Sequence, residues 1–149
     1  MDGLGARVVL LVALLIVAVA IGMWRRRTDG RAHRVDSRIE GRALSAADLG
    51  SGLGRTATLL QFSTLTCAPC RVARRVLSEV AERSAGVALV EVDAGERLEL
   101  ARLLNVRRTP TVFVLDSTGI VTSRLSGVPS QDQVEDALRI ARLAGGAKS

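Results

Sequence analysis

Thr58-Leu59-Leu60-Gln61-Phe62, followed after four residues by Cys67-Ala68-Pro69-Cys70, decides the fold, because an apolar β-like run there delivers the chain's only two cysteines to the start of a helix-patterned stretch. Unpaired N–H groups and the positive end of the helix dipole stabilise a thiolate at the first cysteine, lowering its pKa from the ordinary cysteine value. Cys67 is therefore the candidate nucleophile. Cys70 falls one turn later on the same face, where it can attack a mixed disulfide on Cys67 and release a reduced partner. It is the candidate resolving thiol, and the redox-active Cys67-Cys70 pair needs no cofactor. A four-ligand zinc site finds no second Cys-x-x-Cys and a single histidine, so no metal is expected. Covalent haem attachment would need histidine at position 71, where Arg71 stands. An inert structural disulfide is the competing reading of the pair, although so short a loop constrains the unfolded chain little.

Outward toward the N-terminus, Val8 to Trp24 contains no acid or base. With Leu4 to Ala6 and a snorkelling Arg7 the run has 21 positions, about 32 Å as a helix, enough to span a bilayer. Residues 1–24 are thus expected to form one transmembrane anchor, with Trp24 as an interfacial aromatic and Arg25-Arg26-Arg27 beyond it. A cleavable signal peptide ending at Ala18-Val19-Ala20 is the alternative, disfavoured by a single basic residue before the run and three directly after it. Arg25, Arg26, Arg27, Arg31 and Arg34 outweigh Arg7, so the positive-inside rule puts the C-terminal flank, and the domain after it, on the cytoplasmic side of a single-pass protein. Two cysteines confined to one motif suit a reducing compartment.

Residues 25–42 are rich in Arg, Asp and Gly and lack apolar periodicity, which reads as a tether, with His33 solvated inside it. Residues 1–42 hold 8 basic and 4 acidic side chains, against 13 and 11 in 43–149. The excess charge lies beside the bilayer, so membrane lipid is the expected partner of residues 4–24 and of the Arg25 to Arg34 flank. No basic run with interleaved aromatics points to nucleic acid.

Residues 43–149 are the right size for one domain. Ser45 and Asp48 resemble a capping box, predicting a short helix from Ser45 to about Leu53. A strand over 57–62 precedes the dithiol. Val72, Val76, Leu77, Val80 and Ala81 then mark the apolar face of a long helix. Val87 to Asp93 reads as a strand buried on both faces. Arg97 to Leu104 reads as a helix, Thr111 to Leu115 and Ile120 to Leu125 as a hairpin turning through Asp116-Ser117-Thr118-Gly119, and Ser130 to about Leu143 as a final helix packed on the sheet. The order α-β-α-β-α-β-β-α implies a mixed central sheet flanked by helices.

Phe62, the Cys67-Ala68-Pro69-Cys70 helix start, Asp93, Thr109-Pro110-Thr111, Gly119 and Gly127 together resemble the thioredoxin family over residues 45–143. The resemblance implies a thioredoxin-like three-layer α/β/α sandwich, here preceded by one transmembrane helix, and a cis bond at Thr109–Pro110 lying against the dithiol. It implies a substrate groove shaped by Thr109, Pro110, Ala68 and Pro69, where the Thr109 backbone pairs with an extended substrate strand. Two positions depart from the family. Thioredoxins usually have a buried acid and a tryptophan where this chain has Gln61 and Thr66. Gln61 occupies the proton-relay position but cannot exchange a proton, which puts fast turnover in doubt.

The expected function is that of a membrane-tethered thiol:disulfide oxidoreductase, reducing disulfide-containing protein substrates with electrons from an upstream thiol reductant and acting as a monomer. An exported disulfide oxidase or a reductant for cytochrome assembly is the alternative of opposite sense. A redox-inactive thioredoxin-fold binding module is the alternative of a different class, opposed by the retention of both cysteines.

Overall fold

The computed structural model describes residues 2–28 and 42–147. The first helix, α1 (Asp2–Thr28), runs four residues past the expected anchor boundary, to Thr28. Its described side chains are Arg7 and residues 9–23, all exposed, including Leu10, Leu15 and Ile16. Among the described residues no helix is long and apolar enough to cross a membrane. Residues 29–41, with His33, Arg31 and Arg34, lie outside the described residues, as do the side chains of Leu4 to Ala6, Val8 and Trp24 to Arg27.

The domain follows as α2 (Ala46–Leu49), β1 (Ala57–Ser63), α3 (Ala68–Arg83), β2 (Val87–Asp93), α4 (Leu98–Leu103), β3 (Thr111–Asp116), β4 (Val121–Ser126) and α5 (Gln131–Gly146). The expected order holds. The expected helix to Leu53 is shorter, because Gly50 takes φ 67° and closes α2 one residue after Leu49. Its start is as predicted: the Ser45 hydroxyl accepts from the Asp48 N–H while the Asp48 carboxylate accepts from the Ser45 N–H at 2.8 Å. The Ser45 hydroxyl and then the Ser45 backbone N–H hold the Asp48 carboxyl below its ordinary value of 3.8. A depressed acid contributes stability above its unfolded pKa and loses it as pH falls through the folded one, so this cap weakens only in acid below that ordinary value.

The sheet order is β2-β1-β3-β4, with β2 parallel to β1 and the other pairings antiparallel. Parallel neighbours need a crossover, and α3 provides it. Alternation along β1 sends Leu60 and Phe62 to one face, where they pack with Leu49, Leu104, Phe113 and Leu115. Ala57 and Leu59 go to the other, against Leu77, Val80, Val114 and Leu138. Every residue of β1 is buried, as a strand covered on both faces requires. Phe62 and Phe113 meet edge to face with ring centroids 5.9 Å apart.

Two expectations are corrected. β2 is the sheet edge and is not buried on both faces: Val90 and Val92 are buried, whereas Glu91 is exposed and pairs with Arg74 at 3.3 Å. An apolar, β-branched run does not distinguish a central strand from an edge strand with one covered face. In α3 the buried residues are Cys70, Ala73, Leu77 and Val80, so Val72, expected on the core face, is 54% exposed. The apolar stripe is rotated by one position, because Ala73 fits under the helix and Val72 faces outward.

Phe62→Ala should cost about 3–5 kcal/mol, since it leaves a cavity between the aromatic pair and the aliphatic face around it. Glu91→Ala should cost no more than about 1 kcal/mol, because its pair with Arg74 is solvent-screened. Denaturant unfolding of both variants checks the contrast. Similar losses would contradict the core and edge assignments.

Candidate active site

The loop from Ser63 brings the chain back to begin α3, and the Cys67 N–H donates to the Thr64 carbonyl at 3.1 Å. Cys67 is the N-cap of α3 with extended backbone, φ −81° and ψ 94°. Pro69 occupies the first turn, where its missing N–H costs nothing and its fixed φ suits the helix. The Cys70 N–H donates to Cys67 Sγ at 3.2 Å, so the first cysteine's sulfur stands where a serine hydroxyl would in an ordinary cap. The two cysteines are joined in a disulfide with S–S 2.05 Å.

The pair is asymmetric. Cys67 is half-buried, and Cys70 is 3% exposed. A partner molecule therefore reaches the first sulfur and not the second, while the helix N–H supports negative charge on the reachable one. That asymmetry is what the expected roles of an attacking Cys67 and a resolving Cys70 would require.

Gln61 reaches the same place from the sheet. It lies on the β1 face that carries Ala57 and Leu59, it is fully buried, and its Nε2–H donates to the Cys70 carbonyl at 2.9 Å. Its Oε1 is buried with no hydrogen-bond partner among the described residues. Turning the amide over would set two oxygens against each other, so the Cys70 carbonyl determines which end faces it. Leaving an amide oxygen without a partner costs about 1–3 kcal/mol, and Gln61 holds the first turn of α3 at that expense.

The Thr109–Pro110 bond is cis, as the resemblance implies. The Thr111 hydroxyl donates to the Arg108 carbonyl at 2.8 Å, and the Gly127 N–H donates to the Pro110 carbonyl at 2.9 Å. Gly127 takes φ 83°, a left-handed turn that lets β4 leave the sheet beside the proline. Pro69, Val72, Thr109, Pro110 and Val128 line one cleft together. A second cleft is lined by Leu65, Cys67, Cys70, Arg71 and Glu91, among others. Of the expected groove residues, Thr109, Pro110 and Pro69 thus converge, whereas Ala68 is exposed in the first turn of α3 but lines neither cleft.

Sequence reasoning missed Val72, Val128, Leu65, Arg71 and Arg108. Leu65 is 94% exposed and Val128 38% exposed, beside a half-exposed Val72. An apolar residue in a turn, such as Leu65 between Thr64 and Thr66, was the one available signal, because nothing in a turn's own geometry requires a leucine.

A family model described as Thioredoxin matches residues 51–139. Thioredoxin H2-1 of Oryza sativa subsp. japonica is 34% identical over 84 residues, covering 56% of this chain and 59% of that protein. Thioredoxin H2-2 of the same organism is 34% identical over 77 residues, 52% of this chain and 56% of its own length. The chain therefore spans somewhat more than half the length of the curated relatives it matches. Among solved structures, a mutant thioredoxin from Halobacterium salinarum NRC-1 superposes with a TM-score of 0.54 at 24% identity, covering 59% of this chain and 76% of the other. A thioredoxin from Nicotiana alata gives 0.52 at 23% identity, covering 59% and 75%. These two likenesses concern the fold. With the family model extending over β1, the dithiol helix, the cis proline and the hairpin, the chain belongs to the thioredoxin family.

Proposed function

We propose that this protein is a membrane-tethered thiol:disulfide oxidoreductase that reduces protein disulfides by exchange at Cys67 and Cys70. The observation that carries the reading is the asymmetric pair: a reachable Cys67 Sγ that accepts the Cys70 N–H, and a buried Cys70 directly behind it. An upstream thiol reductant first opens the internal disulfide. Cys67 thiolate then attacks one sulfur of the substrate disulfide; the new S–S bond forms as the substrate's breaks, and the other substrate sulfur leaves as a thiolate and takes a proton. Cys70 loses its proton and attacks Cys67 Sγ, which restores the Cys67–Cys70 bond and releases the second substrate thiol. Two electrons and two protons pass to the substrate. Gln61 fixes the Cys70 carbonyl but accepts no proton, so the proton of Cys70 goes to water or to the departing thiolate.

Tethering is supported by the uncharged run from Val8 to Trp24 and by the helical backbone over Asp2–Thr28. The unbroken described side chains, 9–23, cover about 22 Å, short of a hydrocarbon core of about 30 Å. The span therefore needs Leu4 to Ala6, Val8 and Trp24 as well. Five arginines after the run against one before it favour a cytoplasmic domain, and a reducing cytosol favours reduction as the direction of exchange.

Three outcomes are expected. Cys70→Ser should accumulate mixed disulfides with substrate proteins on non-reducing gels, whereas Cys67→Ser should form almost none; equal trapping by both would contradict the assignment of nucleophile. A reporter fused after Ser149 should be active only when it is of a kind that works in the cytosol, and an active export-dependent reporter would reverse the topology and favour an oxidase. Gln61→Asp should accelerate single-turnover disulfide reduction near neutral pH by about 10- to 100-fold and destabilise the fold by about 1–3 kcal/mol. A less stable variant with an unchanged rate would make Gln61 a positioning residue alone.

A further inference from the structure

We infer that the cleft beside the cis proline selects protein disulfides flanked by an acidic residue, with Arg108 as the group that recognises it. The inference rests on the oxidoreductase reading and adds a substrate class to it. The two clefts beside the dithiol differ in charge. In the one that contains Cys67 and Cys70, Arg71 and Arg74 are accompanied by Glu91, Asp93 and Glu96, and Arg74 already lies 3.3 Å from Glu91. Cations and anions are mixed there, so a peptide of either sign meets both attraction and repulsion.

The other cleft is lined by Pro69, Val72, Thr109, Pro110 and Val128, with Arg108 as its only charged residue among the described residues. The Arg108 backbone is tied down, because its carbonyl accepts the Thr111 hydroxyl at 2.8 Å. Its side chain is exposed and makes no ion pair among the described residues. Arg107, its neighbour, instead donates to the Asn105 side chain at 3.0 Å. A guanidinium with no ion pair among the described residues thus stands directly before Thr109–Pro110, in a cleft that also takes in Pro69 from between the two cysteines.

A planar guanidinium matches a carboxylate with two parallel hydrogen bonds, and it repels a lysine or arginine placed in the same position. The occupant that fits is an extended segment of a partner protein, with an apolar side chain against Val72 and Val128 and an aspartate or glutamate close to its disulfide cysteine. An anionic membrane surface would call for several bases in one plane. Here a single base stands among apolar walls. Exposed ion pairs of this type are worth roughly a 2- to 5-fold preference, diminishing as salt shortens the reach of the charge.

The test uses the full-length chain in detergent and three disulfide peptides that differ only in Glu, Gln or Lys beside the cysteine, with that residue placed on either flank. Wild type should show kcat/KM in the order Glu, Gln, Lys on at least one flank, with the Glu to Lys ratio falling toward one at high salt. Arg108→Ala should compress the ratio and Arg108→Glu should invert it. Arg139→Glu, the same charge change on α5, should keep the wild-type ratio. Equal rates for the three peptides, or a ratio that Arg108→Glu leaves unmoved, would overturn the selection while leaving the oxidoreductase reading intact. Failure of wild type to reduce even a small uncharged disulfide would instead remove the reading on which it rests, and the selection with it.

Discussion

The hydrogen bond from the Cys70 N–H to Cys67 Sγ, 3.2 Å long, is the constraint on which the site depends. It exists only if α3 begins at Cys67 and stays in place, and three parts of the structure provide for that. Pro69 removes a competing donor from the first turn and pre-sets its backbone. Ala73, Leu77 and Val80 press the helix onto the sheet. Gln61, projecting from the central strand, hydrogen-bonds the Cys70 carbonyl from below. Because β1 has neighbours on both sides and is buried throughout, the end from which the dithiol loop departs has little freedom to move.

Gln61 shows how fold and chemistry pull against each other at one position. As an amide it remains neutral where it is fully buried, avoiding the larger cost of a buried carboxylate. One end of that amide nevertheless goes unsatisfied, and neither end can carry a proton from Cys70. A carboxylate could take that proton, but it would set an acceptor against the Cys70 carbonyl and carry the larger cost of burial. In the proposed mechanism, the residue present favours order in the helix start over speed in the resolving step.

Much of this was legible in the amino-acid pattern. The strand before the dithiol, the Ser45 and Ser130 helix starts, and the hairpin around Gly119 follow from local chemistry that tertiary packing does not override. The dithiol and Thr109–Pro110 were legible as a set. What escaped were features decided by packing. Val72 belongs to the same apolar periodicity as Val76, and only the fit of Ala73 against the sheet turns it outward. β2 reads as a central strand because its edge position is a property of topology and not of its own residues. The wall built by Val128 and Arg108 joins segments twenty residues apart, on either side of a hairpin, which no local pattern records.

The most direct measurement of the central claim is the pH dependence of alkylation of the reduced, full-length chain, with the modified cysteine identified by mass spectrometry. Cys67 should react with a midpoint below the ordinary cysteine value of about 8.5, and Cys70 should stay unmodified until the protein unfolds. Alkylation of both cysteines at similar rates, or a Cys67 midpoint at the ordinary value, would contradict the account.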